Sequence, residues 1–208
     1  MICIDGHTFD ETLLELGPLQ SPGWVIDAGC REWHFTYEML IRDRKVFAID
    51  IDNLKVDDFS YLPDPVLTFR QAALTNFTGE TECYLFGNGT ANFIKGINQE
   101  PGSLEDRPVQ KITVPAITLQ DIYKEIGTDI DLLKLDIEGA EYIVLKDFDP
   151  VPKQITVEFH EHVHADLHNQ YFDEVFEGLC KHYNATLFIR EWPRYKYMDC
   201  LFTRKDLV

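Results

Sequence analysis

The chain has 208 residues and a formal net charge of −17, with 36 acidic and 19 basic side chains. This excess of negative charge argues against nucleic acid and anionic membrane surfaces as partners, because both would repel the protein. Hydrophobic residues make up 45% of the chain and no apolar run reaches membrane-spanning length, so we expect one globular domain over residues 1–208 without membrane insertion.

The first part of the chain, residues 1–22, is predicted to be a leading helix, with apolar side chains from Thr8 to Leu16 and a stop at Gly17-Pro18. It does not have the pattern of a signal peptide. The five cysteines are scattered and include no Cys-x-x-Cys pair. This pattern favours reduced thiols and a cytoplasmic location over a disulfide framework or a zinc ribbon.

Two short apolar runs each end on an acid, Trp24-Val-Ile-Asp27 and Lys45-Val-Phe-Ala-Ile-Asp50. Ala28-Gly29-Cys30 forms a turn between the first run and a predicted helix. In such a βαβ unit the glycine turn approaches a ligand, and the acid after the second strand accepts hydrogen bonds from ribose hydroxyls. A third strand is predicted over Val66-Leu-Thr-Phe-Arg70.

An insertion over residues 75–115 interrupts this alternation of strands and helices. Polar and apolar residues alternate from Thr81 to Leu85, which predicts a β-hairpin arm. The stretch from Phe86 to Arg107 is rich in glycine, asparagine and proline, and it is predicted to form a lid over the site. Ile112-Thr-Val114 is predicted to be a short edge strand.

The next segment combines a capped helix with a buried strand. The helix is predicted over Thr118–Ile126, with a capping signal at its start and Gly127 at its end. The run from Ile130 to Leu135 has the length of a buried parallel strand, and it stops at Asp136. Ligands of open α/β sheets bind at the carboxyl ends of strands, so Asp136 is a candidate functional residue.

Three charged residues near Asp136 receive structural interpretations. Glu138 and Glu141 fall in the first turn of a further helix, where negative charge is favoured. Lys134 is interpreted as a strand residue whose amine reaches an edge of the sheet, because it would need a strongly depressed pKa to act as a base.

The last third of the chain is predicted to complete the sheet. Gln154–Phe159 is a strand, and a helix over Tyr171–Leu179 follows. The final strands, Thr186–Arg190 and Met198–Phe202, are joined by a connection too short for a crossover, so they pair antiparallel. The whole pattern predicts an α/β fold, with an open, mostly parallel sheet and helices on both faces.

Several motifs together resemble a known family. The most specific is Asp131-Leu-Leu-Lys-Leu-Asp-Ile-Glu-Gly-Ala-Glu141 after Thr118-Leu-Gln-Asp-Ile122, and Val25-Ile-Asp-Ala-Gly29, Gln71-Ala-Ala-Leu74 and Val157-Glu158 support it. In these motifs the chain resembles the FkbM family of S-adenosylmethionine-dependent methyltransferases. The resemblance implies a Rossmann-like class I methyltransferase fold, with a seven-stranded, mostly parallel sheet and an antiparallel last strand.

The resemblance also implies a reaction and its residues. The protein would use S-adenosylmethionine to methylate an oxygen of a small-molecule or glycan acceptor. The residues implied to bind the cofactor are Asp27, Ala28 and Gly29 at the methionine end, Asp50 and Ile51 at the ribose, and Gln71 and Ala72 at the adenine. Independently of the family, carboxylates suit a sulfonium cation, and a ribose diol suits a bidentate carboxylate acceptor.

One residue departs from the family pattern. The family usually has a second glycine four residues after Gly29, where this chain has Trp33. Two alternatives follow: the indole crowds the cofactor, or it points into the core. In the first case the protein would bind the cofactor weakly or not at all.

Methylation of a hydroxyl requires its deprotonation as the attack proceeds. Asp136 is predicted to lie at the reaction centre, with His160 or His162 as the general base. Alternatively, a Mg²⁺ or Mn²⁺ ion held by Asp136, Glu158 and His160 would lower the pKa of the hydroxyl. If the strand continued past Phe159, Glu158, His160 and His162 would share one face, a spacing that also suits zinc.

The sequence therefore predicts an S-adenosylmethionine-dependent O-methyltransferase that acts on a sugar or glycan hydroxyl. Two alternatives stay open: a catalytically inactive accessory module with this fold, and a metal-dependent hydrolase built on Glu158 and the histidines. The acceptor and the oligomeric state are not fixed by the sequence.

Overall fold

The computed structural model describes the backbone of residues 2–4, 7–9, 23–31, 33–55, 59–62, 65–86, 93–94, 109–146, 148–160, 165–192 and 195–207. Side-chain environments are described for the same residues except 2–4, 7–9, 86, 93–94, 109, 165–169, 188–192 and 195–197.

In chain order, the strands of the described ranges are β1 (Ile2–Ile4), β2 (His7–Phe9), β3 (Trp24–Ala28), β4 (Lys45–Asp50), β5 (Leu67–Gln71), β6 (Ala73–Leu74), β7 (Gly79–Phe86), β8 (Phe93–Ile94), β9 (Val109–Ile117), β10 (Ile130–Leu135), β11 (Gln154–Phe159), β12 (Tyr183–Trp192) and β13 (Tyr195–Arg204). The helices of the same ranges are α1 (His34–Leu40), α2 (Leu119–Ile126), α3 (Glu141–Lys146) and α4 (Ala165–Cys180). A 3₁₀ helix over Lys205–Leu207 follows the last strand.

The central sheet has seven strands in the order β12-β13-β11-β10-β3-β4-β5. β13 runs antiparallel to both of its neighbours, and the other neighbouring pairs are parallel. The predicted seven-stranded, mostly parallel sheet with an antiparallel last strand is therefore confirmed.

Helices cover both faces of this sheet. Successive residues of each strand point to opposite faces, so each strand contributes side chains to both layers of helices. Val25 of β3 and Leu132 of β10 pack with Phe35 of α1 on one face. Ile26 and Leu133 pack on the other face in a larger apolar cluster with residues of α2, α3 and α4. All six residues of β10 and of β11 are buried, as expected for central strands of a sheet covered on both sides.

The predicted capping box of α2 is present. The Thr118 hydroxyl accepts a hydrogen bond from the Asp121 N–H at 3.1 Å, and the Asp121 carboxylate accepts one from the Thr118 N–H at 3.2 Å. Gly127, with φ of 87°, ends the helix. This start and stop fix where the chain enters β10.

A second, four-stranded sheet has the order β6-β9-β7-β8. The prediction of a short edge strand over Ile112–Val114 is wrong, since β9 is a nine-residue strand between β6 and β7. β7 pairs antiparallel with β8 and β9, in the place of the predicted hairpin arm. Residues 87–92 and 95–108 of the predicted lid lie outside the described residues.

The leading helix predicted within residues 1–22 is wrong where the structure describes that segment. β1 and β2 pair antiparallel, with Cys3 opposite Thr8. The apolar spacing that suggested a helix begins at Thr8 and Phe9, which pair with β1 instead, and residues 10–22 lie outside the described residues.

A buried polar network joins the amino ends of the central strands. Asp131 of β10 accepts a hydrogen bond from the Gly23 N–H at 3.1 Å and forms an ion pair with Arg44. The Lys153 ammonium lies 2.6 Å from the same carboxylate. This network lies at the opposite end of the strands from Asp136.

Among the helices in the described ranges, none is both long and apolar enough to cross a lipid bilayer.

Candidate active site

The glycine turn after β3 is held between the ends of two strands. The Gly29 N–H donates to the Ile49 carbonyl at 2.9 Å, and the Asp136 N–H donates to the Ala28 carbonyl at 3.1 Å. Gly29 has φ of 82°, and a Cβ at this position would overlap the Asp136 carbonyl oxygen. Glycine is therefore required here both by the backbone conformation and by the close approach of β10.

Trp33 lies in the core. Its indole packs edge-to-face against Phe59 and Phe69, with ring centroids 6.2 and 5.3 Å away. Its backbone is left-handed, with φ of 58°, a conformation that glycine adopts without steric cost. The second of the two alternatives is therefore correct: the indole points into the core, and the backbone keeps the conformation that a glycine would have.

The ends of β4 and β5 lie directly beside this turn. Asp50 is opposite Gln71 in the sheet, and its carbonyl accepts a hydrogen bond from the Ala72 N–H at 2.9 Å. The Gln71 amide donates to the Ile51 carbonyl at 3.2 Å. The residues predicted to bind the cofactor thus occupy the adjoining ends of three neighbouring strands, β3, β4 and β5.

Asp50 is a nearly buried carboxylate. Its Oδ1 accepts a hydrogen bond from the Asp52 N–H at 2.9 Å. Burial raises the pKa of Asp50 to about 6, although the hydrogen bond from Asp52 opposes this change.

Asp27 and Lys134 form a buried ion pair below the turn. Asp27 is fully buried, its Oδ2 accepts a hydrogen bond from the Thr36 hydroxyl at 2.6 Å, and its Oδ1 lies 3.2 Å from the Lys134 ammonium. Burial alone would lower the pKa of Lys134, but the carboxylates of Asp27 and Asp136 outweigh it and raise the pKa. Lys134 is therefore a buried residue of a central strand whose ammonium reaches the carboxyl edge of the sheet, beside Gly29 and Asp136.

A second group of side chains surrounds His160, directly after β11. The His160 Nδ1 lies 3.1 Å from the buried carboxylate of Glu141. Its Nε2 faces three further carboxylates, with Asp136 at 3.6 Å, Glu138 at 3.5 Å and Glu158 at 3.7 Å. Asp136, Glu158 and His160, predicted as ligands or catalysts, are therefore brought together.

The carboxylates control the charge of His160. Burial alone would lower its pKa, but Glu141 and Glu138 raise the pKa well above the ordinary value. These carboxylates therefore favour the protonated form of His160. Burial also raises the pKa of Glu138, to about 8, against the opposing effect of His160.

This group has donors that suit a divalent cation. One ligand atom each from Asp136, Glu138 and His160 lie within 4.8 Å of one another. Carboxylate oxygens are preferred ligands of Mg²⁺ and Mn²⁺, and a buried imidazole is a further ligand that Mn²⁺ accepts. The residues present therefore fit such an ion. Asp136 and His160 of the predicted ligand set belong to this group, its third member is Glu138, which was not predicted, and Glu158 is not a member.

The turn that carries this group is sharply bent. Glu138 and Gly139 are both left-handed, with φ of 52° and 98°. The Ile137 N–H then donates to the Glu141 carboxylate at 2.9 Å. A left-handed conformation at a residue other than glycine costs roughly 1–2 kcal/mol, and such strain is often found at functional sites.

Sequence reasoning missed three site residues: Thr36, Glu138 and Glu141. Glu141 was interpreted as helix-start charge, yet it is fully buried against His160. The signal that was available is its position in the first turn of a helix that begins at the carboxyl end of β10.

Two predictions about histidines lie outside the described residues. His162, the second candidate base, and His164 both fall there. β11 ends at Phe159, so the strand does not continue through His160.

The fold is the Rossmann-like fold of class I methyltransferases. It has an open, mostly parallel seven-stranded sheet with an antiparallel last strand, a glycine turn after one central strand and an acid at the end of the next.

Comparison with protein families makes the assignment specific. Residues 31–186 match the model of the methyltransferase FkbM domain. The chain belongs to the FkbM methyltransferase family, and methyl transfer is the activity of that family. The matched range includes Asp50, Gln71, Asp136 and His160, and it begins just after Gly29. A search of curated protein sequences found no match.

Proposed function

We propose that the protein is an S-adenosylmethionine-dependent O-methyltransferase that acts on a sugar or glycan hydroxyl. The observation that carries this proposal is the direct contact between the two halves of the site. Gly29 of the predicted cofactor turn packs against the Asp136 backbone, and the Asp136 side chain belongs to the group around His160. A methyl donor at the turn and an acceptor at the acidic group would therefore be neighbours.

The chain's residues fit the three parts of the cofactor. Asp27, Ala28 and Gly29 would border the methionine end, where only glycine allows the close approach seen in this turn. The Asp50 carboxylate would accept hydrogen bonds from both ribose hydroxyls, and Ile51 adjoins it. Gln71 and Ala72, at the end of β5, would border the adenine. When bound, S-adenosylmethionine supplies an activated methyl group on a sulfonium cation.

Asp136, Glu158 and His160 would act on the acceptor, together with Glu138. A Mg²⁺ or Mn²⁺ ion held by these residues would supply a lowered hydroxyl pKa. The chain's own contribution is to orient the imidazole: Glu141 fixes Nδ1, so that Nε2 faces the acceptor side. Without an ion, His160 or His162 would have to remove the proton, and His160 would first have to release the proton that its neighbours favour.

The charges of the site restrict the acceptor. Asp136, Glu141 and Glu158 surround His160, and their negative charge would repel a phosphate or carboxylate on the acceptor. A neutral polyol such as a sugar meets no such repulsion, and its hydroxyls match carboxylate acceptors. The free thiols Cys30, Cys83, Cys180 and Cys200 suit a reducing compartment, and we place the protein in the cytoplasm.

Calorimetric titration with S-adenosylmethionine tests the proposal. The wild-type protein is expected to bind, and Asp50→Asn is expected to bind at least about tenfold more weakly, because a charge-assisted pair of hydrogen bonds is lost. Asp52→Asn is the matched control from the same turn and should bind like the wild type. Absence of binding by the folded wild-type protein would refute the proposal.

The two alternative functions make different predictions. An inactive accessory module was suggested by Trp33, and the position of the indole in the core removes that reason. A metal-dependent hydrolase would use the group around His160 and would turn over an ester or amide substrate with Mn²⁺ and without any methyl donor. Methyl transfer from labelled S-adenosylmethionine to a sugar would distinguish the proposed enzyme from both.

A further inference from the structure

We propose that Lys134 is a positioning residue that sets the shape of the turn at which the methyl donor would bind. This inference rests on the proposed use of S-adenosylmethionine. Its basis is the set of contacts that Lys134 makes at the carboxyl end of the central strands.

Lys134 lies in a row of neighbouring residues that crosses the sheet. In the strand registers this row is Ala48, Asp27, Lys134, Thr156 and Leu201. All five are buried, on the face that α1 covers. Asp27 and Lys134 are the two charged members of the row, and they are direct neighbours.

The Lys134 ammonium contacts the glycine turn itself. It donates a hydrogen bond to the Gly29 carbonyl at 2.7 Å and lies 3.2 Å from Asp27. It also lies 3.9 Å from the Asp136 carboxylate. One side chain thus connects the residue before the turn, the turn, and the acid after β10.

Residues at the start of helix α1 contact both members of this ion pair. The Thr36 hydroxyl donates to Asp27 at 2.6 Å, and the Phe35 ring lies 5.8 Å from the Lys134 ammonium. The start of α1, the end of β3 and the end of β10 are therefore joined through a single ion pair. These contacts tie the position of Lys134 to the backbone between Asp27 and Thr36.

Stability alone does not explain this ion pair. Desolvation of two buried charges offsets most of their attraction, and an apolar pair of similar volume usually gives an equally stable protein. The surrounding cluster on this face is apolar, so such a pair would pack well here. A fixed Gly29 carbonyl is the contribution that an apolar pair would not make.

A comparable ion pair at the other end of β10 provides the matched control. Arg44 and Asp131 are buried to the same degree, with 3% and 6% of their surface exposed, against 2% for Lys134. This pair lies at the amino ends of the strands, whereas Gly29 lies at their carboxyl ends. Arg44→Met also removes a buried cation, but Asp131 keeps Lys153 and the Gly23 N–H as partners. It should therefore destabilise the fold less than Lys134→Met and leave the turn unchanged.

The experiment measures affinity for S-adenosylhomocysteine by calorimetry, at a temperature where circular dichroism shows each variant to be folded. This probe lacks the sulfonium charge, so its affinity reports the shape of the turn. Lys134→Met is expected to bind at least about tenfold more weakly than the wild type, and Arg44→Met within about twofold of it. Wild-type affinity in folded Lys134→Met, or an equal loss in Arg44→Met, would overturn the proposal.

If Lys134→Met does not fold, the double variant Asp27→Asn, Lys134→Met replaces it. In this variant the carboxylate of Asp27 is no longer left buried without its cation. Its affinity is expected to be at least about tenfold lower than that of Asp27→Asn alone, and equal affinities would overturn the proposal.

Hydrogen exchange of the Gly29 amide separates this inference from the proposed function, because it needs no ligand. Exchange should be faster in Lys134→Met than in Arg44→Met at matched stability, and equal exchange would contradict the role of Lys134. If the wild type binds neither S-adenosylmethionine nor S-adenosylhomocysteine, the proposed function is refuted. The exchange result still tests whether Lys134 positions the turn.

Discussion

At Trp33 the backbone and the side chain meet separate requirements. The left-handed backbone, with φ of 58°, is needed for the chain to pass from the turn into α1. The side chain is only 6% exposed and contributes to the apolar cluster that includes Phe59. A glycine would satisfy the first requirement and leave the second unmet.

Trp33→Gly is therefore expected to lower the free energy of unfolding by about 1–4 kcal/mol. Loss of a buried indole costs about 3–5 kcal/mol, and relief of the left-handed backbone returns about 1–2 kcal/mol. Urea denaturation measures the change, and Trp33→Phe is a milder control. Affinity for S-adenosylmethionine should stay unchanged in the folded variant, and a marked gain would show that the indole obstructs the cofactor after all.

Asp50 gives a pH dependence whose sign follows from its burial. Its pKa is about 6 in the folded protein, against an ordinary value of 3.8. The folded state therefore holds this proton more tightly, and the stability it contributes is present below the ordinary value and is lost as pH rises through about 6. Ionised Asp50 is a cost to the fold, which is reasonable for a ligand-binding carboxylate.

Asp50→Asn should consequently be as stable as the wild type near pH 4 and more stable by about 2 kcal/mol near pH 7.5. Urea denaturation across this range measures the difference, with Asp52→Asn as the control. A stability difference that does not grow with pH would show that Asp50 titrates normally.

At the scale of elements, β10 with the following turn and α3 forms one functional unit with the end of β11. The turn provides Asp136 and Glu138, α3 provides Glu141, and β11 leads to Glu158 and His160. These five residues come together because β10 and β11 are neighbouring parallel strands that end at the same edge.

This unit gives a prediction about metal binding. In a Mn²⁺ titration followed by electron paramagnetic resonance, Asp136→Asn and Glu138→Gln should each weaken binding by roughly 10–100-fold. Glu141→Gln should also weaken it about tenfold, because Glu141 holds the His160 Nδ1 and would orient the imidazole towards an ion. The exposed Glu177→Gln is the control. Wild-type affinity in Asp136→Asn would exclude this group as the metal site.

The elements differ in how far the sequence predicts them. β4, β10 and β11 are observed with the predicted bounds, because each is an apolar run that ends where a polar turn begins. β9 was underestimated because polar residues such as Lys111 and Thr113 alternate with apolar ones, and only its pairing with β7 extends it. β2 is set by pairing with β1, which local spacing does not encode.

The site divides in the same way. Strand-end residues such as Asp50 and Asp136 were predicted because the end of an apolar run marks the edge of the sheet. Contacts that depend on register or on a helix face were not, as with Lys134 opposite Asp27 and Glu141 against His160. Residue types identify candidates, whereas partners require the three-dimensional pairing.

At the scale of the whole molecule, charge is distributed along the strands. The amino ends carry the Arg44–Asp131 pair with Lys153, so acids there have basic partners. At the carboxyl ends, four carboxylates gather around His160. Together with the net charge of −17, this favours approach of a cation to the carboxyl edge.

Salt should therefore weaken the binding of S-adenosylmethionine more than the binding of S-adenosylhomocysteine, because only S-adenosylmethionine carries the sulfonium charge. Raising ionic strength from about 0.02 to about 0.5 M shortens the screening length severalfold, and the ratio of the two affinities should fall by at least about twofold. Competition calorimetry measures the ratio. An affinity ratio independent of salt would show that the carboxylates do not act on the ligand's charge.

The most direct test is a crystal structure of the wild-type protein with S-adenosylhomocysteine and Mn²⁺. The ribose is expected on Asp50, the sulfur beside Gly29 and directed towards Asp136, and the manganese anomalous signal between Asp136 and His160. A ligand bound elsewhere, or a sulfur directed away from the group around His160, would contradict a methyl-transfer site at the carboxyl ends of these strands.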